Sequence, residues 1–213
     1  IIELDSNPIP ADFFGPGSDP FDGKIELQGM SLGSSTHCDA DIGNTDTIVE
    51  RKQDASLPGL NSSATIPIEM LELSLVCTAP IVVTYNGGMN TEQWNLFITL
   101  TPKVQSTGTM TILHTRRDGG TFDSVLEIHP RLTFVRPSDD TIRIRDIEDT
   151  LVTDRAPWLT DAAGFVRPSG CTSNFVPGVG RLPILGRLFS KKVEMGGQNL
   201  LIFVTPTIII DED

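Results

Sequence analysis

The chain is poor in the residue types on which most redox, metal and catalytic sites depend. Its 213 residues include three histidines, three cysteines and one tyrosine. The cysteines, Cys38, Cys77 and Cys171, show no CxxC spacing, which argues against a zinc site or a thioredoxin-like site. They allow either one disulfide with one free thiol or three separate thiols.

Positive charge and long apolar runs are scarce as well. The 16 lysines and arginines face 28 acidic residues, and the net charge of −12 argues against a general nucleic-acid-binding protein. No run of 18 apolar residues occurs, so no transmembrane helix is predicted. No signal peptide is visible, and because the chain starts at Ile1 this observation says little about its location.

Glycine and proline, by contrast, are plentiful. The 19 glycines and 15 prolines separate short segments in which apolar and polar residues alternate. This composition is typical of many short strands joined by turns rather than of a helical bundle. We therefore predict an all-β protein with an extended lead-in at residues 1–23 and an antiparallel β-sandwich or jelly-roll-like domain at residues 24–175. Residues 176–213 form a separate segment, since the charge balance changes near residue 176.

Local signals place several turns between the predicted strands. Asn86-Gly87 and Asp118-Gly119 favour tight β-hairpin turns because glycine tolerates positive φ values. Residues 137–139, which include a proline and an aspartate, predict a further turn between two strands. These signals predict that successive strands pair as hairpins.

The phase of the alternation predicts the segments between these turns. From Thr65 to Cys77 the apolar positions shift by one at residues 70–71, which predicts a bulge or a bend. Residues 31–63 are polar and predict a long loop around one short strand. Residues 150–175 show no regular pattern and are predicted to be irregular.

Two groups of side chains are expected to stabilise the fold. Phe13, Phe14 and Phe21 are apolar residues in the proline-rich lead-in, so we expect them to attach it to the core. Arg143 and Arg145 share one face of a predicted strand and have aspartates close by in the sequence. We therefore expect both arginines to form ion pairs.

A calcium-loop pattern runs from Asp39 to Glu50. Asp39, Asp41 and Glu50 occupy positions 1, 3 and 12 of such a loop, and clustered carboxylate oxygens suit a hard cation. Positions 5 and 6 are Gly43 and Asn44, which inverts the usual order, and no helices are predicted beside the segment. These residues indicate either a Ca²⁺ site, the one cofactor that the chain suggests, or a solvated acidic loop.

The histidines suggest catalysis only if the fold brings them together with other groups. His114 and His129 can face each other across a predicted hairpin, with Ser124 and Asp123 close in the sequence. A Ser-His-Asp triad needs an oriented nucleophile and an oxyanion hole, and no G-x-S-x-G motif is present. We therefore predict ordinary strand histidines and no enzymatic activity.

The C-terminal segment contains the most specific pattern of the chain. It reads VPGVGRLPILGRLF at residues 176–189, and after a basic polar stretch it reads NLLIFVTPTIIIDED at residues 199–213. This order resembles the C-terminal signature of the secretins, the outer-membrane ring channels of bacterial type II and type III secretion, type IV pili and filamentous-phage export. The matching residues are Val176, Pro177, Pro183, Gly186, Leu188, Phe189, Asn199, Leu200, Ile202, Thr205 and Pro206. Val179 and Arg181 depart from the pattern, where leucine and an acidic residue are usual.

The physical character of the segment agrees with that resemblance. Pro177 and Pro183 cannot donate a backbone hydrogen bond, so they interrupt strand pairing and set a bend. Residues 199–210 can form a strand that is apolar on both faces, as expected where one face meets lipid or another protein layer. The resemblance implies self-association into a ring or binding to other secretion-channel proteins, with outer-membrane contact through this segment.

The chain before residue 176 does not show the long pore-forming β-domain that precedes this signature in secretins. The sequence therefore indicates either a natural fusion of a secretin-like end to another β-domain or a composite sequence. We expect a non-enzymatic protein of the bacterial envelope, located in the outer membrane or periplasm or exported, that is a structural component or accessory of an outer-membrane secretion channel such as the type II secretion system. The alternative is a soluble exported β-sandwich that acts as a binding or surface module.

Overall fold

Every secondary-structure element in the described part of the chain is a β-strand. The computed structural model describes residues 2–4, 7–35, 38–43 and 46–159, and the strands in these ranges pair in antiparallel fashion. The predicted all-β antiparallel class is therefore confirmed. The strands are β1 (Ile2–Glu3), β2 (Lys24–Ile25), β3 (Leu27–Gly29), β4 (Gly33–Ser35), β5 (Cys38–Gly43), β6 (Thr47–Arg51), β7 (Ser63–Leu73), β8 (Leu75–Cys77), β9 (Ile81–Tyr85), β10 (Asn90–Leu100), β11 (Ser106–Arg116), β12 (Gly119–Ile128), β13 (Pro130–Arg136), β14 (Thr141–Asp146) and β15 (Asp149–Leu159).

The two main sheets are the two halves of one bent meander. Sheet I has the strand order β14-β13-β10-β8-β3, with β9 added to β10, and sheet II has the order β15-β12-β11-β7-β6. β7 continues into β8 through Ser74, and β12 continues into β13 through His129. The chain also passes from β10 to β11, from β14 to β15, and from β3 through the β4–β5 pair to β6. Each of the five strands in the order β14-β13-β10-β8-β3 therefore leads to or from the strand at the same position in sheet II.

The sandwich or jelly-roll detail of the prediction is not confirmed by this topology. A jelly roll contains Greek-key connections, which place strands side by side that are not consecutive in the chain. Within the two main sheets the pairs β6–β7, β9–β10, β11–β12 and β13–β14 are consecutive, whereas β10 pairs with β13, β11 with β7 and β12 with β15. These non-consecutive pairs arise because β7, β10, β12 and β14 each lead from one sheet into a strand of the other.

The predicted hairpins occur at or next to the predicted residues. β9 and β10 are joined by residues 86–89, where Asn86 and Gly87 have φ values of 55° and 70°. β13 and β14 are joined by residues 137–140, as predicted. The turn between β11 and β12 consists of residues 117–118, one position before the predicted pair.

The predicted bulge at residues 70–71 is confirmed. The pairing between β6 and β7 leaves Leu71 without a partner. The buried side chains of this strand fall on even-numbered positions up to Met70 and on odd-numbered positions from Leu73 to Cys77. An extra residue bends a strand and increases its twist, and this one lies where the strand leaves sheet II for sheet I.

Two of the segments predicted to be irregular contain strands. Residues 31–63, predicted as a loop with one short strand, contain β4 and β5 as well as the expected β6. Residues 150–159 belong to β15, which pairs with β12 and has a bulge where Arg155 adopts a φ of 50° and donates its N–H to Asp123 Oδ1 at 2.7 Å. β15 pairs on one side only among the described strands. Its partly solvated position explains why the sequence lacks a clear apolar alternation.

The lead-in packs on sheet I through its phenylalanines, as predicted. Phe14 is 1% exposed, and its ring centroid lies 5.1 Å from that of Trp94 and 5.2 Å from that of Phe134. Phe13 and Phe21 are partly buried against the same core. The buried apolar side chains of the lead-in and of both sheets belong to one hydrophobic cluster, so the lead-in is part of the fold rather than an appendage.

Candidate functional site

The structure places the residues of the calcium pattern on strands. Asp39 and Asp41 lie in β5, and Glu50 lies in β6. The Glu50 carboxylate accepts a hydrogen bond from Lys52 Nζ at 2.7 Å. Among the described side chains, no three or more His, Cys, Asp or Glu residues are close enough to hold a metal ion. The side chains of Asp39 and Asp41 lie outside that set, so the Ca²⁺ site stays a prediction.

The four residues considered for a catalytic triad do not converge. His114 lies near the end of β11, where Nδ1 is 3.0 Å from the carbonyl oxygen of Gly59. His129 lies at the junction of β12 and β13, at the opposite end of the β11–β12 pair. Ser124 is buried whereas Asp123 is exposed, since neighbours in a strand point to opposite faces. The two histidines therefore do not face each other across the hairpin.

One cysteine can be assigned from the described residues. Cys77 is a buried free thiol, and its Sγ accepts a hydrogen bond from the backbone N–H of Leu96 at 3.1 Å. A disulfide in this chain would therefore have to join Cys38 to Cys171. The side chains of both residues lie outside the described part of the structure, as do all residues of the secretin-like pattern from Val176 to Pro206.

Strand β14 exposes two isoleucines on one face, while the arginines on its other face bind the lead-in. Arg143 Nε donates to the carbonyl oxygen of Phe13 at 3.0 Å, and Arg145 donates to the carbonyl oxygen of Pro8 at 2.9 Å. Both arginines thus bind the backbone of the lead-in rather than the aspartates that we expected. Because side chains alternate along a strand, Ile142 and Ile144 point away from the lead-in, where they are 53% and 52% exposed.

The outer surface of sheet I continues this apolar character. The register places Ile144 opposite Thr133, which in turn lies opposite Phe97. Ile142 lies opposite Val135 in the next row. We call Phe97, Val135, Ile142 and Ile144 the outer apolar face of sheet I. Large apolar side chains grouped on a surface usually mark a site of contact.

β14 is also a free edge of the sheet. Among the described strands it pairs with β13 alone, in an unbroken register from Arg131↔Asp146 to Arg136↔Thr141. Proteins commonly protect such edges with prolines, lysines, bulges or inward-pointing charges. The β14 sequence, TIRIRD, contains no proline or lysine and its register with β13 contains no bulge, but Arg143 and Arg145 point to the inner face. Arg143 Nη1 also donates to the Ile142 carbonyl oxygen at 3.0 Å, so the edge is protected in part, and its outer side faces no other described strand.

Ion pairs hold both ends of this edge in place. At one end the Asp146 carboxylate lies 2.8 Å from Arg131 Nε and 2.8 Å from Lys103 Nζ, and the hydrogen bond from Arg131 lowers the pKa of Asp146. At the other end Arg136 binds Glu92 at 2.7 Å and Asp139 at 2.6 Å. The bond from Arg136 lowers the pKa of Asp139 to about 2. The β14 backbone is thus held at both of its ends.

A second surface feature is a shallow groove on the outside of sheet II. It is lined by Glu69 and by side chains of β11 and β12 that include Thr107, Thr109 and Glu127, with Lys52 at one side. Lys52 Nζ lies 2.7 Å from Glu50 and 2.9 Å from Glu69, and these hydrogen bonds raise the pKa of the lysine. The groove is open and has a mixed lining that includes Pro67, Ile68 and Val125, and its lysine is already neutralised by two carboxylates.

None of the residues that the structure describes forms a helix long and apolar enough to cross a membrane.

Of these features, the exposure of the β14 isoleucines was not predicted from the sequence. The alternation in TIRIRD showed that the isoleucines and arginines lie on opposite faces, but it did not show which face is covered. No family model, no curated protein and no solved structure matches the chain.

Proposed function

We propose that this chain is a non-enzymatic structural protein of the bacterial envelope that works by self-association, as a component or accessory of an outer-membrane secretion channel. The observation that carries the proposal is the ordered pattern from Val176 to Pro206. Two prolines, a glycine and a Leu-Phe pair occur in it at fixed spacing, followed by the Asn-Leu-x-Ile-x-x-Thr-Pro strand.

The described part of the molecule supports this role through its surface. An assembling protein needs apolar surface that is exposed in the single copy and buried between copies. The outer apolar face of sheet I has this property, with Ile142 and Ile144 about half exposed. Repeated heterologous contact between identical copies closes a ring when the rotation between neighbours closes.

Sedimentation of the full chain in detergent tests the proposal. We expect large homo-oligomers that appear as rings by electron microscopy, and a chain lacking residues 177–213 is expected to stay monomeric under the same conditions. A full chain that remains a stable monomer without detergent would contradict self-association. If the truncated chain still forms rings, the C-terminal segment is not required for assembly.

The groove on sheet II favours one alternative, a soluble exported binding module. Its Thr107, Thr109 and Glu127 side chains offer hydrogen-bonding groups on a solvated sheet face. In that case the full chain sediments as a monomer, and substitutions lining the groove weaken binding of a ligand found by screening. The sedimentation experiment therefore separates the two functions before any ligand is known.

A further inference from the structure

We infer that residues 199–210 of this chain add as a strand to the free edge of β14. The inference concerns contacts within one copy, so it does not depend on the proposed function. The basic and proline-rich residues that precede residue 199 remain available for assembly.

β14 has no strand partner on its outer side among the described strands, and its exposed Ile142 and Ile144 lie beside that edge. The Ile142 carbonyl accepts a hydrogen bond from Arg143 Nη1, but no proline, lysine or bulge blocks the edge. An edge strand with an open side can pair with an available extended segment. The occupant must therefore be extended, and it must be apolar on the side of the two isoleucines.

The composition of residues 199–210 suits such an occupant. The stretch NLLIFVTPTIII carries no charge and is rich in β-branched residues, which favour strands. Fully extended, twelve residues span about 40 Å, which exceeds the length of β14. The three acidic residues that follow, Asp211 to Asp213, provide a polar end to such a strand.

The described chain ends in the strand that follows β14. β14 leads directly into β15, the last described strand, which ends at Leu159 on the same side of the meander. Residues 160–198 then connect Leu159 to Asn199, and a connection of this length can reach any point along the edge. A tethered segment acts at a high effective concentration, on the order of millimolar for flexible links. This favours the segment of the same copy over that of another.

Pro206 determines which side of the added strand faces β14. A proline has no N–H, so in an edge strand its nitrogen points away from the neighbouring strand. N–H groups alternate along a strand, so the N–H of Leu200 points outward with Pro206 and the N–H of Leu201 points toward β14. These two adjacent leucines therefore have opposite roles.

Hydrogen exchange measured by mass spectrometry on the full chain tests the inference. Truncation after Gln198 is expected to accelerate exchange of the outer β14 amides about tenfold or more, since they lose their acceptors. The matched pair Leu201→Pro and Leu200→Pro provides the control. We expect Leu201→Pro to accelerate exchange in β14 and Leu200→Pro to leave it unchanged, with β11 amides unaffected in both variants.

Three outcomes would overturn the inference. Equal exchange of β14 in the full and truncated chains would show that the segment does not cover it. A larger effect of Leu200→Pro than of Leu201→Pro would show that the strand does not pair in this orientation. Protection that falls on dilution would assign the added strand to another copy. Because sedimentation measures assembly separately, failure here leaves the proposed function standing.

Discussion

Asp149 is a carboxylate whose environment disfavours its charge. Its Oδ1 accepts a hydrogen bond from the N–H of Thr150 at 2.7 Å, but its Oδ2 is buried without a hydrogen-bond partner. Although the residue is only half-buried, desolvation of its carboxyl group raises the pKa of Asp149 to about 6, and the bond from Thr150 offsets only part of this effect. An ionised carboxylate at this position therefore costs folding free energy at neutral pH.

Replacing this carboxylate by a neutral amide should make the protein more stable above pH 6. The pKa of Asp149 is higher in the folded chain than in the unfolded chain, so the proton stabilises the fold below about pH 4 and this contribution is lost as the pH rises through 6. Asp149→Asn does not ionise, and its Oδ1 can still accept the Thr150 bond. We expect it to exceed the parent by about 1 kcal/mol at pH 7.5, after discounting for solvent screening.

Urea denaturation at pH 4 and at pH 7.5 measures this difference. Because the parent carboxyl is largely protonated near pH 4, the advantage of Asp149→Asn should shrink there. An advantage of the same size at both pH values would show that packing, rather than ionisation, distinguishes the two side chains.

At the scale of the elements, the lead-in and β14 depend on one another. The lead-in inserts Phe14 among Trp94 and Phe134, and its backbone carbonyls accept hydrogen bonds from Arg143 and Arg145. The arginines are thereby directed to the inner face, which leaves the isoleucines of β14 on the outer face. The exposure of the outer face is therefore a consequence of how the lead-in packs.

Truncation of Phe14 should loosen this arrangement. Removing a buried phenylalanine ring costs about 3–5 kcal/mol in transfer free energy and cavity formation, and Phe14 is 1% exposed. We expect Phe14→Ala to lower the free energy of unfolding by this amount in urea denaturation. Phe13→Ala, at a partly buried position, is the control and should cost less. Equal losses for the two variants would contradict the assigned anchoring role of Phe14.

The strands β7 and β15 show where apolar alternation predicts structure and where it does not. The phase shift at residues 70–71 predicted the bulge correctly, because burial of one face imposes a period of two on a strand. Apolar alternation did not predict β15, because an edge strand with a bulge at Arg155 has no continuous buried face. Its strand structure comes from backbone pairing with β12.

At the scale of the whole molecule, charge opposes assembly. Each copy carries a net charge of −12, so neighbouring copies repel one another at low ionic strength. Apolar surface such as the outer apolar face of sheet I has to overcome this repulsion for copies to associate. Salt screens it, with a Debye length of about 8 Å at physiological ionic strength.

Self-association should therefore strengthen with salt. Raising sodium chloride from 20 to 200 mM is expected to tighten association about threefold to tenfold in sedimentation velocity. The chain lacking residues 177–213 should remain monomeric at both concentrations. Weaker association at the higher concentration would indicate instead that the basic side chains near residues 181–192 attract the acidic surface of another copy.

The amino-acid sequence by itself determined the β class, the hairpins near residues 86, 118 and 138, and the bulge at Leu71. Each of these depends on interactions between residues close together in the chain, namely alternation along a strand and the backbone freedom of turn residues. Only the tertiary structure decided that Arg143 reaches Phe13, 130 positions away, that Ile142 and Ile144 face solvent, and that Asp149 Oδ2 is buried. Those outcomes depend on which strands lie side by side and on what covers each face. Local sequence patterns specify neither of these, because both arise from contacts between residues far apart in the chain.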